Sequence, residues 1–130
     1  MHALIVDDSA SMRAILKRTL SERGFEVTAA GNGSDALTLM AQLAPHLVLV
    51  DWNMPGMNGF ELLCEIRRQP RYASVKVVMV TTETNKAEMS HALAAGADEY
   101  IMKPFTPDVV YDKLRLAGLP VPHSEAVEYA

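Results

Sequence analysis

Several side chains that can bind a metal or a phosphoryl group stand directly after apolar runs of the sequence. Asp7 and Asp8 follow the first run, Asp51 follows the third, Thr81 follows the fourth and Lys103 follows the fifth. If these runs are parallel strands of one sheet, their carboxyl ends lie along the same edge. The spacing therefore predicts a cleft in which three carboxylates, a hydroxyl and an ammonium group meet.

This set of groups favours a divalent cation and phosphoryl chemistry. Three neighbouring carboxylates raise one another's pKa unless positive charge compensates them, and Lys103 supplies one such charge. Oxygen ligands without thiolate or imidazole favour Mg²⁺, with Mn²⁺ as an alternative, over Zn²⁺. We predict that Asp7 and Asp8 hold the metal. Asp51 is then the nucleophile that forms an aspartyl-phosphate, and Thr81 donates a hydrogen bond to the phosphoryl group.

The elements that position these groups are five apolar strands alternating with amphipathic helices. The strands are predicted at 3–6, 25–30, 47–51, 75–80 and 99–102. The helices are predicted from Met12 to Gly24, from an N-cap at Ser34 to Pro45, at 60–68, at 85–95, and from an N-cap at Thr106 to Gly118. Continuous apolar strands joined by helices predict an α/β fold with a doubly wound, five-stranded parallel sheet.

Length and composition indicate a single domain without a membrane span. The 130 residues are 49% hydrophobic, carry a formal net charge of −4 and include one cysteine. No apolar run approaches the ~20 residues that a transmembrane helix needs, and no basic stripe suggests nucleic acid as a partner. We therefore expect a cytoplasmic monomer, with a domain at residues 1–118 and a short tail at 119–130.

Four motifs give the chain a resemblance to a known family. The stretches "VDDS" at 6–9, "DWNMPGMNG" at 51–59, "TTE" at 81–83 and "YIMKPF" at 100–105 resemble those of receiver domains of bacterial two-component response regulators. The resemblance covers residues 1 to about 118 and is greatest to the stand-alone, chemotaxis-type (CheY-like) receivers. It implies the flavodoxin-like (βα)5 topology with strand order 2-1-3-4-5, which such receivers exemplify.

The resemblance implies a role for each acidic group at the predicted strand ends. Asp51 matches the phospho-acceptor. Asp8 and Asp51 match direct metal ligands, and Asp7 matches an acid that acts largely through water. Asn53 matches the position whose backbone carbonyl completes the metal site.

Further positions match the phosphoryl-binding and switching groups of the family. Thr81 and Lys103 match the pair that binds phosphoryl oxygens, and the peptide bond after Lys103 is typically cis. Tyr100 matches the aromatic switch. Asn53 and Glu83 match two variable positions that tune the lifetime of the phosphoryl group, and their identities predict a lifetime of seconds rather than hours.

The partners that the resemblance implies are separate proteins. The donor would be a phosphohistidine on a histidine kinase or on a phosphotransfer protein. The output protein, a flagellar motor switch or another, would bind the face formed by helix 4, strand 5 and helix 5. A phosphate sink or relay receiver in another two-component pathway is an open alternative.

Three functions of other classes share part of this pattern. A haloacid-dehalogenase-type phosphatase also uses Mg²⁺ and a nucleophilic Asp after a strand, but it has a second Asp two residues later, where this chain has Asn53. A flavodoxin-like electron carrier needs a phosphate loop after strand one, where Asp7 and Asp8 would repel a phosphate. A pseudo-receiver that only binds partners would lack some of the acceptor, metal or lysine groups.

The loop after the third strand leads to predictions of its own. Residues 54–57 suit a type II turn with Pro and Gly at its centre, which would fix the Asn53 carbonyl. Trp52 is expected to be partly exposed beside the cleft, so that its fluorescence responds to Mg²⁺. Cys64 is expected to be a small buried apolar residue of the third helix.

Overall fold

The chain alternates strands and helices through five βα units. The computed structural model describes residues 1–82 and 86–123. The strands are β1 (His2–Val6), β2 (Glu26–Ala30), β3 (Leu47–Asp51), β4 (Lys76–Thr81) and β5 (Glu99–Met102). The helices are α1 (Ala10–Ser21), α2 (Gly33–Leu43), α3 (Gly59–Arg68), α4 (Lys86–Ala94) and α5 (Pro107–Leu116), with one turn of 3₁₀-helix at Pro70–Tyr72. None of the helices in the described ranges has both the length and the apolar character that crossing a membrane requires.

The five strands form one parallel sheet in the order β2-β1-β3-β4-β5. This confirms the predicted fold class and strand order. Neighbouring strands are in register at their carboxyl ends, where Val6 pairs with Val50 and Asp51 pairs with Val80. The strand order reverses between β1 and β3, and ligands of open α/β sheets bind at such a switch point.

Alternate residues of the strands face two different layers of helices. One set packs with α2, α3 and α4: Leu4, Val6, Val48, Val50, Val77 and Met79. The other set packs with α1 and α5: Ala3, Ile5, Leu47, Leu49, Val78, Val80 and Ile101. Full burial of a side chain of this size contributes roughly 1.5–3 kcal/mol, so the central strands are firmly held. Burial on both faces is also why these strands are continuously apolar in sequence.

Side chains cap the N-termini of α1, α2, α3 and α5, and one cap differs from the prediction. Asn32, not Ser34, is the N-cap of α2, because the Asn32 side chain accepts a hydrogen bond from the Asp35 N–H at 2.8 Å. The predicted Ser34 lies inside the helix. At α5 the predicted cap is confirmed, since the Thr106 side chain accepts from the Val109 N–H at 3.3 Å.

The chain after α5 turns back onto the domain. Leu119 and Val121 are buried in the core layer that contains α1 and α5. Arg115 holds this segment in place: its Nε donates to the Val121 carbonyl at 3.1 Å, and its Nη2 donates to the Pro122 carbonyl at 2.9 Å. Residues 119–122 are therefore packed against the helices.

Candidate functional site

Three acidic side chains and one lysine meet at the carboxyl edge of the sheet. Asp7, Asp8 and Asp51 each offer a carboxylate oxygen, and these oxygens all lie within 4.8 Å of one another. Lys103 Nζ lies 3.2 Å from Asp51 Oδ1 and 3.4 Å from Asp7 Oδ2. The structure thus brings together the carboxylates and the ammonium group that the sequence placed at separate strand ends.

The backbone around Asp51 is held rigidly. Asp51 is only 5% exposed, and it ends a strand in which every residue is buried. The Trp52 N–H donates to the Val80 carbonyl at 2.9 Å, and the Gly59 N–H donates to the Trp52 carbonyl at 2.9 Å. A Cβ on Gly59 would collide with the Asp51 carbonyl oxygen and would lie 2.8 Å from Trp52 Cα. Only glycine therefore lets α3 begin this close to the end of β3.

The surroundings of Asp51 raise the pKa of its carboxyl above the ordinary value of 3.8. Burial is the main cause, because it disfavours the charged form, and the negative charge of Asp7 adds to it. The ammonium group of Lys103 and a backbone hydrogen bond involving Asn53 lower the pKa but do not cancel the rise. Three carboxylates here face one ammonium group, and a bound cation would compensate the remaining negative charge.

Asp7 is positioned by contacts that the sequence reasoning missed. Its side chain is almost fully buried, and its Oδ1 accepts a hydrogen bond from the Ser9 N–H at 2.9 Å. Arg13 Nη1 donates to the Asp7 carbonyl at 2.7 Å. A serine directly before an amphipathic run could have signalled the first contact. The Arg13 contact depends on how α1 packs beside β1, and no sequence spacing predicts it. Asp8, in contrast, is exposed to solvent.

The predicted phosphoryl-binding pair lies at the carboxyl ends of two neighbouring strands, with Thr81 as the last residue of β4 and Lys103 directly after β5. Thr81 is fully buried at the end of β4, and its carbonyl accepts a hydrogen bond from the Lys103 N–H at 2.8 Å. The bond between Lys103 and Pro104 is cis, as expected. In the loop after β3, Asn53 is exposed, and Gly56 has the positive φ of 74° that a type II turn requires.

Tyr100 lies on β5, next to α4. It is partly buried against the core layer formed by α2, α3 and α4, and Lys113 Nζ lies 4.5 Å from the centre of its ring. Together with Met89 and Leu93 of α4 it lines a small groove. Glu83, the other predicted tuning position besides Asn53, falls outside the described residues.

Two further sequence predictions have different outcomes. Trp52 is partly exposed, as expected, and its ring centre lies 6.0 Å from that of Phe60. Cys64 is only partly buried, so the prediction of a buried residue was wrong. The reason is geometric: α3 buries Leu62 and Ile66 against the sheet, and position 64 lies to the side of that face.

Comparisons with known proteins identify the family of the chain. The family model described as the response regulator receiver domain matches residues 3–115. Chemotaxis protein CheY1 of Helicobacter pylori is 46% identical over 118 residues, which cover 89% of this chain and 95% of that protein. A chemotaxis protein CheY homolog of Campylobacter jejuni is 47% identical over 116 residues, covering 88% of this chain and 89% of that protein.

A solved structure also matches over most of its length. The chemotaxis response regulator CheY4 of Vibrio cholerae superposes with a TM-score of 0.84 at 34% identity, covering 89% of this chain and 97% of that one. The phosphatase alternative is not favoured, since the family match is to receivers and Asn53 stands where that alternative needs an acid. The chain therefore belongs to the family of response regulator receiver domains and is a CheY-like signalling switch.

Proposed function

We propose that Asp51 accepts a phosphoryl group from a phosphohistidine on a separate histidine kinase or phosphotransfer protein. The observation that best supports this proposal is the position of the buried Asp51 carboxylate, 3.2 Å from Lys103 Nζ and within 4.8 Å of two further carboxylate oxygens. Phosphorylation then changes the affinity of the domain for a separate output protein. The protein catalyses only its own aspartyl phosphorylation and dephosphorylation.

The proposed transfer exchanges one bond to phosphorus for another. An oxygen of the ionised Asp51 carboxylate attacks the phosphorus, the P–N bond to the donor imidazole breaks, and the leaving imidazole takes up a proton. Lys103 and Thr81 bind the phosphoryl oxygens in this proposal. The burial of Thr81 and the clamped backbone of Asp51 support it, because groups held in place need little reorganisation during the reaction.

The donor atoms of the cluster fit a hard divalent cation. Three carboxylates against one ammonium group leave a surplus of two negative charges (−3 + 1). We assign Asp7, Asp8, Asp51 and the backbone carbonyl of Asn53 as the groups that would hold Mg²⁺, with Mn²⁺ as a substitute. When bound, the ion would neutralise charge on the phosphoryl group.

The proposed output face is formed by α4, β5 and α5 around Tyr100. The Lys103 N–H donates a hydrogen bond to the Thr81 carbonyl. Thr81 ends β4 and Lys103 follows β5, so this hydrogen bond supports a link between the phosphoryl-binding pair and the output face. Among the described residues of α4, only Ala92 is buried, so this helix is weakly anchored. Tyr100 and Thr81 are the proposed switch residues, and Asn53 and Glu83 are the proposed tuning positions for a lifetime of seconds.

The pathway proposed is chemotaxis or motility signalling in the cytoplasm. The names of the similar proteins support it, since those from Helicobacter pylori and Campylobacter jejuni are chemotaxis proteins. The output protein would be a flagellar motor switch, and the receiver at 1–118 would act as a monomer without nucleic acid or membrane as a partner. A phosphate sink or relay receiver in another two-component pathway is the alternative.

The test is phosphorylation by a small donor. The protein is incubated with acetyl phosphate and Mg²⁺, and its intact mass is measured. We expect one added phosphoryl group in the wild type and none in Asp51→Asn or without Mg²⁺. Asp112→Asn, which changes an exposed acid of α5, is the matched control and should still be modified. An adduct on Asp51→Asn, or none on the wild type with acetyl phosphate or with a phosphorylated kinase, would refute the proposal.

A further inference from the structure

An open cavity lies at the amino edge of the sheet, opposite the acidic cluster. Its volume is about 550 Å³, which is within the ~300–1,000 Å³ of typical small-molecule sites. The C-terminal part of α2 forms one wall with Met40, and Tyr72 and Val75 of the segment before β4 form a second. Leu119, in the segment that follows α5, forms a third. Three separate parts of the chain therefore form the walls of this open cavity.

The charged groups of the cavity lining are all basic. Arg71 and Lys76 line it together with His46, and none of its lining residues in the described ranges is acidic. Arg71 Nε donates to the uncharged side chain of Gln69 at 3.0 Å. Lys76 Nζ lies 4.0 Å from Asp98 Oδ1, the longest of the observed ion pairs. Among the described residues Arg71 therefore has no acidic partner, and Lys76 has only this long contact, so an anion at the rim could bind both.

Contacts within the chain hold the rim and the third wall in place. The Arg71 guanidinium lies over the Tyr72 ring, with its carbon 4.7 Å from the ring centre, which orients it at the rim. Leu119 is buried, and Arg115 hydrogen-bonds to the two carbonyls that follow Pro120. The receiver-domain family model ends at residue 115, so Leu119 and the wall that it forms lie outside the matched residues.

We propose that this cavity binds a small amphipathic carboxylate. Its ring or branched apolar group would contact Met40, Val75 and Leu119, and its carboxylate would lie at the rim between Arg71 and Lys76. The guanidinium group suits a carboxylate because it can donate two parallel hydrogen bonds. The proposal does not depend on the function of Asp51, because the two sites lie at opposite edges of the sheet.

Paired probes that differ in charge test the proposal. The ¹⁵N-labelled protein is titrated with 2-naphthoate and with its uncharged amide, 2-naphthamide, and backbone amide shifts are followed. We expect 2-naphthoate to shift the amides of Ala41, Ser74 and Leu119 in a saturable way and to leave those of Asp8 and Asn53 unchanged. The neutral amide should bind about tenfold more weakly, as expected when a charged contact is lost.

Variants then identify the residues responsible. Arg71→Gln and Lys76→Gln should each weaken 2-naphthoate binding about tenfold. Lys17→Gln and Arg68→Gln remove exposed cations outside the cavity lining and should leave the affinity unchanged. Ala41→Trp should abolish binding by filling the cavity. Equal affinity for the acid and its amide, shifts elsewhere on the surface, or no saturable shift at millimolar 2-naphthoate would overturn the proposal.

Discussion

Two charged clusters lie at opposite edges of the same sheet, and they differ in how completely the chain satisfies them. At the amino edge, Arg67 donates to the carbonyls of Gly96, Tyr72 and Val75 at 2.8–3.0 Å and to Asp98 Oδ2 at 2.9 Å. The same Asp98 oxygen accepts a hydrogen bond from the Val77 N–H at 2.8 Å. This cluster joins α3 to β4 and β5, and its carboxylate is compensated within the chain by Arg67 and, at 4.0 Å, by Lys76.

At the carboxyl edge the chain leaves charge unbalanced. Lys103 faces Asp7 and Asp51 at 3.4 and 3.2 Å, and Asp8 has no ion-pair partner among the described residues. Burial and repulsion raise the pKa of Asp51, which shows that its ionised form is not fully compensated. A cluster whose carboxylates are all paired with cations of the chain stabilises the fold. A cluster with more carboxylates than cations is suited to bind an external cation.

The largest effect on stability is expected from Arg67→Met. The substitution removes a mostly buried ion pair, leaves Asp98 with only the 4.0 Å ion pair to Lys76, and takes away the Arg67 donor of the Gly96 and Val75 carbonyls. It should therefore lower the free energy of unfolding by about 3 kcal/mol. Urea unfolding measures this. Phosphorylation of the folded fraction by acetyl phosphate should persist, because the carboxyl edge is untouched. Unchanged stability would contradict a structural role for this cluster.

Mg²⁺ should stabilise the folded protein only by binding to the acidic cluster at the carboxyl edge. At a concentration of 100 times its Kd, a ligand that binds only the folded state adds about 2.7 kcal/mol to the free energy of unfolding. We expect Mg²⁺ to produce an increase of this kind in the wild type and in Arg67→Met, and little in Asp51→Asn. Trp52 fluorescence gives the Kd in the same titration, and EDTA should reverse both signals. A flat Trp52 titration without stabilisation would contradict the metal site.

The close approach of Gly59 to Asp51 should matter for both stability and metal binding. In Gly59→Ala the new methyl group collides with the Asp51 backbone, which should cost about 1–3 kcal/mol and weaken Mg²⁺ binding. Gly56→Ala is the control, because that position has a positive φ but nothing within 4 Å of an added Cβ. It should cost about 1–2 kcal/mol without loss of Mg²⁺ affinity. Equal losses of affinity in both variants would contradict the contact argument.

The smallest expected effect is a pH dependence that belongs to Asp51. Its pKa is raised in the folded protein, so the proton is bound more tightly there than in the unfolded chain. Without metal, the stability of the wild type relative to Asp51→Asn should therefore fall as pH rises from below 3.8 through the raised pKa, and then level off. Urea unfolding across the acid range measures the difference. A relative stability that rises with pH would contradict the raised pKa.

The sequence predicted the strands well because their signal is local. Each predicted strand begins and ends within one residue of its observed bounds, since both faces of the sheet are covered and the strands are continuously apolar. The sequence predicted the ends of the helices less accurately than the ends of the strands. Ser34 and Asn32 are both good N-caps, and only the position of the backbone N–H of Asp35 selects Asn32.

The two edges of the sheet were predictable to different degrees. The carboxyl edge could be anticipated because Asp7, Asp51 and Lys103 each stand beside a strand end, and parallel strands bring their ends together. The amino-edge cluster could not, because the contact between Arg67 and Asp98 depends on where the last turn of α3 lies relative to β4 and β5. Arg13 was missed for the same reason.

The sequence by itself determined the order of the elements, the parallel sheet and the residue types that meet at the carboxyl edge. Hydrophobic periodicity and strand-end position are properties of the linear chain, and they suffice for these conclusions. Only the tertiary structure decided that Asp51 is buried, that its pKa is raised, that Gly59 admits α3 beside it, and that residues 118–120 close a basic cavity at the far edge. These features depend on distances between segments distant in sequence, which packing sets and no local pattern encodes.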